Sequence, residues 1–185
     1  MVSLTINELV ERAHANAKEK GFWDEPRETG TLLMLIVSEV TEALDAHSCE
    51  NFCEELADIC IRIFDLCGGH DIDLKTVLHS MRHNYEFVSK DIDLNLTSFA
   101  DLEDSLSVAD GDFDDDKLSI SVVKSLSYAL ERDRQGLRGP FAQKIAMAFV
   151  YTLKWAAHKG YRIEDALMKK MERNKQRPRL HGKKY

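Results

Sequence analysis

An all-α fold is predicted by three features of the 185-residue chain. Apolar residues recur at helical spacing along most of it, no segment reads convincingly as a strand, and only three prolines interrupt it. With 44% hydrophobic and 31% charged residues, the chain can bury the core of a single globular domain.

Leu4, Leu9, Val10, Ala13 and Ala17 outline a first amphipathic helix that stops at Gly21. A second is predicted over 29–47, on Leu32, Leu33, Leu35, Ile36, Val40, Ala43 and Leu44. A third runs over 50–67 and stops at Gly68-Gly69, and a fourth covers 73–88. Residues 89–116 carry ten Asp or Glu and no basic residue after Lys90, so they read as a solvated, mobile acidic connector with one short helix near 98–106. Its Asp110–Asp116 run is no calcium loop, because the positions that need glycine and glutamate hold Asp115 and Ser121. Helices resume over 118–134, over 141–158 behind Gly139-Pro140, and over 163–175, followed by a short basic tail. The organisation expected is therefore a first half (1–88), an acidic insertion (89–116) and a second half (117–185), packed as one globular unit.

A net charge of −7 disfavours a broad cationic surface for nucleic acid. The longest uncharged apolar runs, 31–38 and 145–153, are too short for a membrane span of about 20 residues. The first residues lack a basic and then apolar leader, so a cytoplasmic protein is expected. Cys49, Cys53, Cys60 and Cys67 follow at intervals of four, seven and seven, on one stripe of the third helix. That stripe suits neither a disulfide framework nor a zinc site, and reads as small core residues in a reducing compartment.

Sliding the chain against itself reveals a repeat. A shift of 86 pairs Leu32 with Leu118, Val40 with Leu126 and Ala43 with Ala129; a shift of 89 pairs Phe52 with Phe141 and Ala57 with Ala146; a shift of 90 pairs Met81 with Met171 and Asn84 with Asn174. Identities in the same order favour an internal duplication over the general likeness of amphipathic helices. The first helix has no partner in this alignment.

Glu39 and Glu42 are three apart on the second helix, as are Glu55 and Asp58 on the third. Each pair shares a helix face, and the short break at 48–51 makes the two helices antiparallel neighbours. Either pair alone reads as a solvated face. Two pairs set inside apolar runs predict converging carboxylates, which repel unless a hard cation neutralises them. All-oxygen ligation suits Mg²⁺, with Mn²⁺ as substitute. The matching second-half positions hold Ser125, Tyr128, Lys144 and Met147, so the second half is degenerate and one site per chain is expected. A di-iron bundle needs Glu-x-x-His pairs from two helices, and only Glu11–His14 has that spacing on a predicted helix.

The order Lys20-Gly-Phe-Trp-Asp-Glu-Pro26, Glu39-Val-Thr-Glu42, Glu55-Leu-Ala-Asp58, Lys170-Met-Glu-Arg-Asn174-Lys-Gln-Arg177-Pro178 and His181-Gly182-Lys183 resembles the MazG-like all-alpha nucleoside triphosphate pyrophosphohydrolases, including their dCTP pyrophosphatase-like members. The resemblance covers the first 84 residues and about the last 20. It implies a MazG-like helical bundle and Mg²⁺-dependent hydrolysis of a nucleoside triphosphate to the monophosphate and pyrophosphate, in the clearing or control of nucleotide pools. Glu39, Glu42, Glu55 and Asp58 become the metal and catalytic residues, with Glu54 or one of the four as candidate base.

Lys170, Lys175 and Arg177 are candidates for the phosphates, Trp23 for the base, and Asn84 or Asn174 for base or sugar edges. The family places its Lys-x-x-x-Asn helix after the ExxD helix, whereas here the first copy, Ser80–Asn84, lacks the lysine. The site is then divided between the halves, with Lys170 and Arg177 close to the first-half carboxylates, and Arg62 is the next candidate clamp. The expected partner is a nucleoside triphosphate, without nucleic acid or membrane, and homodimer formation is left open. The competing readings are a non-catalytic duplicated helical module and an enzyme like phosphoribosyl-ATP pyrophosphohydrolase.

Overall fold

A computed structural model describes residues 3–81, 98–106 and 114–182. Among these, eight α-helices and one short 3₁₀ turn (Arg179–Gly182) appear and no strand, only an isolated bridge between Thr5 and Ser98. No helix among them is long and apolar enough to cross a membrane.

Local chemistry sets the helix starts. Helix α1 (Ile6–Glu19) opens with a reciprocal box in which Thr5 caps the Glu8 amide and Glu8 accepts from the Thr5 amide at 2.8 Å. Helix α2 (Thr29–Leu44) follows a loop, and α3 (Cys49–Gly69) begins where the Ser48 hydroxyl accepts from the Asn51 amide at 3.1 Å. Helix α4 spans Leu74–Met81; the rest of the helix expected up to residue 88, with Asn84, lies outside the described residues. Helices α5 (Phe99–Leu106), α6 (Asp115–Arg134), α7 (Arg138–His158) and α8 (Glu164–Gln176) complete the chain.

The two 21-residue helices α3 and α7 form the centre. They pack against each other, with α1, α2 and α8 around α3 and α4, α5 and α6 around α7, while α2 also meets α6. Phe64 on α3 faces Phe149 on α7 at 5.4 Å between ring centroids, both fully buried. Trp155 is buried beside Phe52 and donates its indole N–H to Asp115 at 3.0 Å.

Three sequence expectations change. Gly68 and Gly69 do not stop α3, which runs through both. A Cβ on Gly68 would stand 2.4 Å from the His14 side chain, and one on Gly69 would stand 2.0 Å from the Trp23 ring, so the two glycines admit close packing of α1 and the following loop. The cysteine stripe is core only in part: Cys60 and Cys67 are buried, but Cys49 is exposed. The short helix expected near 98–106 is α5, but it is not solvated, because it buries Phe99, Leu102 and Leu106 against the core; residues 89–97 and 107–113 of the acidic stretch lie outside the described residues.

Buried with them is Glu103, whose carboxylate accepts from the Ile163 amide at 2.6 Å at the start of α8. Burial raises its pKa from 4.5 to about 7, against the lowering effect of that amide and of Arg162. The folded state therefore binds a proton more tightly than the unfolded chain. Glu103's contribution to stability is full below about pH 4.5 and is lost as pH rises through about 7. Urea midpoints of wild type and Glu103→Gln at pH 5 and pH 8 check this. The wild type should lose ground to the variant as pH rises, and a constant difference would mean that Glu103 does not titrate in this window.

Candidate metal and phosphate site

Antiparallel packing of α2 on α3 places Glu39 and Glu42 opposite Glu55. One carboxylate oxygen from each of the three lies within 4.8 Å of the others. Glu39 is only 5% exposed, Glu55 is half-buried and Glu42 faces water. Burial raises the Glu39 pKa, with Asp58 and Glu42 adding to it and Arg62 opposing. Burial likewise raises that of Glu55; Lys170 opposes it, and the neighbouring acids reinforce it. These carboxylates are held together at an electrostatic cost that a cation would relieve.

They open on a cavity of about 250 Å³. Along α3, Glu55, Asp58, Arg62 and Asp65 fall three or four apart, which sets all four on its wall. Helix α8 contributes Lys170, Asn174 and Arg177, the last at its C-cap; α1 contributes Asn16; the loop before α2 contributes Phe22 and Arg27. The lining brings five carboxylates together with four Lys or Arg side chains.

Ion pairs link the two charges. The Arg62 guanidinium donates to Glu39 Oε1 at 2.5 Å. Lys170 Nζ donates to Asp58 Oδ2 at 2.6 Å and lies 3.4 Å from Glu54, which also accepts from Arg173 at 2.9 Å. Burial disfavours the Lys170 charge, but the Asp58, Glu55 and Glu54 carboxylates together hold the ammonium above its usual pKa. The Arg173 bond lowers the pKa of Glu54.

The predicted site residues are distributed unevenly. Glu39, Glu42, Glu55, Asp58, Lys170, Asn174 and Arg177 line one cavity. Asp58 is not one of the three mutually close oxygens, although its charge acts on both Glu39 and Glu55, and it is paired with Lys170. Lys175 is not part of the lining and pairs with Glu172 at 3.2 Å on the surface. Trp23 is not part of it either. Its indole N–H donates to Asp65 at 2.8 Å, and its ring meets His14 edge to face and stands over Gly69, so it fastens the loop to α3. Phe22 is the aromatic residue that the loop presents to the cavity.

Residues that sequence reasoning passed over are Asn16, Phe22, Arg27 and Asp65. Asp65 continues the Glu55-Asp58-Arg62 face by one step, a helical periodicity already present in the sequence. Asn16 and Asn174 each bury a side-chain oxygen that has no hydrogen-bond partner among the described residues, and both residues line the cavity. Buried acceptors of this kind call for a donor from a ligand or water.

Fold and site together define a helical bundle with an acidic centre flanked by basic side chains. The chain matches no protein-family model, no curated protein and no solved structure.

Proposed function

We propose that this chain is a divalent-metal-dependent nucleoside triphosphate pyrophosphohydrolase of the MazG-like kind, using Mg²⁺ with Mn²⁺ as substitute. The observation that carries the reading is the meeting of three glutamate oxygens within 4.8 Å, in a cavity that Arg27, Arg62, Lys170 and Arg177 also line. Hard carboxylate oxygens without His or Cys fit Mg²⁺, and the orphaned Asn174 oxygen fits a donor-bearing ligand beside them. Glu39, Glu42 and Glu55 would hold the ion, whose chemistry is to polarise a phosphoryl oxygen and acidify water.

The chain's own groups perform the rest. Arg177, at the end of α8, and Arg27 offer guanidinium forks to phosphate oxygens. Arg62 pairs with the buried Glu39 and opposes the rise in its pKa, and Phe22 gives a flat apolar wall for a base. Phosphoryl transfer depends mostly on such positioning and charge neutralisation.

We also read the chain as an internal duplication in which α1–α4 correspond to α5–α8. Several features support this. Helix α8 packs on α3 as α4 packs on α7, and α1 on α3 as α5 on α7. Thr5 and Ser98, which precede α1 and α5, bridge each other, and each caps its helix with an acidic residue three positions on. Helix α5 thus supplies the counterpart that α1 lacks in the sequence alignment. At the positions matching the carboxylates, Lys144 sits over the Tyr128 ring at 5.5 Å and reaches Met147 Sδ at 3.5 Å. The second centre is then filled by a cation over an aromatic ring, and the basic helix of the second half serves the acids of the first.

A panel of canonical and modified nucleoside and deoxynucleoside triphosphates with Mg²⁺, read by pyrophosphate release, tests the function. Release from at least one, lost when Mg²⁺ is chelated, is the expected result. No release from any member would leave a binding module and end the catalytic reading.

A further inference from the structure

Ion pairs knit the acidic centre together, Arg62 on Glu39 and Lys170 on Asp58. We propose that the centre takes a single divalent cation, on Glu39, Glu42 and Glu55, and that the Lys170 ammonium from α8 fills the place of a second cation beside Asp58. This rests on the metal-centre part of the reading above and not on the hydrolytic part.

The four carboxylates of the two helical pairs are not equivalent. Three present oxygens within 4.8 Å of one another, whereas Asp58 lies outside that group and accepts from Lys170 at 2.6 Å. Lys170 is not a surface side chain that has drifted onto an acid: the residue is 6% exposed, and its Nζ lies 3.4 Å from Glu54 as well. A buried ammonium persists only where carboxylates compensate its lost hydration. A divalent ion placed on Asp58 would face that ammonium at short range and be repelled by it.

An independent observation points to a ligand here. Asn174, one turn after Lys170, is 7% exposed and lines the same cavity, and its buried Oδ1 has no hydrogen-bond partner among the described residues. That acceptor suits a donor such as water brought in with the cation.

Lys170 is thus a positioning residue that sets how many metals the centre holds. The test counts Mn²⁺ bound per chain by electron paramagnetic resonance, on the full chain without nucleotide. Wild type and Lys170→Arg should bind one ion, and Lys170→Met should bind two, because removing the ammonium frees Asp58 and Glu54. Loss of a purely structural contact would not create a second site. Since a methionine there could disturb folding, Asp58→Asn is a second probe. It should still bind one Mn²⁺, more weakly because the Lys170 ammonium loses its partner, as expected for a residue outside the ligand set. Two ions of similar affinity in wild type, one ion in folded Lys170→Met, or abolished binding in Asp58→Asn would each overturn the proposal. No bound Mn²⁺ in any form would overturn the metal centre and this proposal with it. One ion with no pyrophosphate release would uphold the proposal and overturn only the hydrolytic reading.

Discussion

Glu55→Gln should abolish measurable Mn²⁺ binding and lower pyrophosphate release at least about a hundredfold, while leaving the fold intact. Glu55 belongs to the three-oxygen cluster, so an amide there would remove one of the three anionic groups that the proposed ion requires. The substitution is nearly isosteric. It also removes a carboxyl group whose ionisation the folded protein disfavours, through burial and through Asp58, Glu39 and Glu42, with only Lys170 opposing. The melting temperature should therefore hold or rise even as function disappears. Calorimetric titration with Mn²⁺ beside a thermal melt checks both halves. Undiminished Mn²⁺ binding would place the metal elsewhere, and a large fall in melting temperature would make Glu55 structural.

Phe64→Ala should show the opposite pattern, a loss of about 3–5 kcal/mol of stability from a residue that carries no charge near the cavity. Phe64 has no exposed surface, and its ring packs against Phe149 at 5.4 Å across the α3–α7 seam. Phe149 in turn meets Phe99 of α5 at 6.3 Å, so a cavity opened at Phe64 would loosen the contact that joins three helices. In a domain of this size the melting temperature should fall by on the order of 10 °C. Urea unfolding of Phe64→Ala beside Phe64→Leu measures it, with the leucine costing less because it keeps most of the volume. A loss below about 1 kcal/mol from the alanine would mean that the seam is not packed as described.

The helices were largely legible because their information is local. Helical spacing of apolar residues, Ser48 before α3 and the Thr5–Glu8 box each act within one or two turns, where backbone geometry alone decides which side chains meet. For the same reason Glu39, Glu42, Glu55 and Asp58 could be read as two face-sharing pairs. Helix α5 was harder: Asp101, Glu103 and Asp104 hide the Phe99, Leu102 and Leu106 stripe, and the segment reads as acidic before it reads as amphipathic.

What the sequence by itself determined is the set of faces: an all-helical chain, an acidic face on α2 and α3, and basic residues late in the chain. Only the tertiary structure decided which faces meet. It brought Lys170 onto Asp58 across 112 residues, set Arg62 on Glu39, turned Trp23 onto Asp65 and gave the cavity Phe22 in its place. It also gave Asp58 to Lys170 while clustering the other three acids, although the two pairs have the same spacing along their helices. The physical reason is that spacing along a helix fixes directions only relative to that helix. The distance between side chains on different helices depends on how their apolar stripes pack, and that is a property of the whole core.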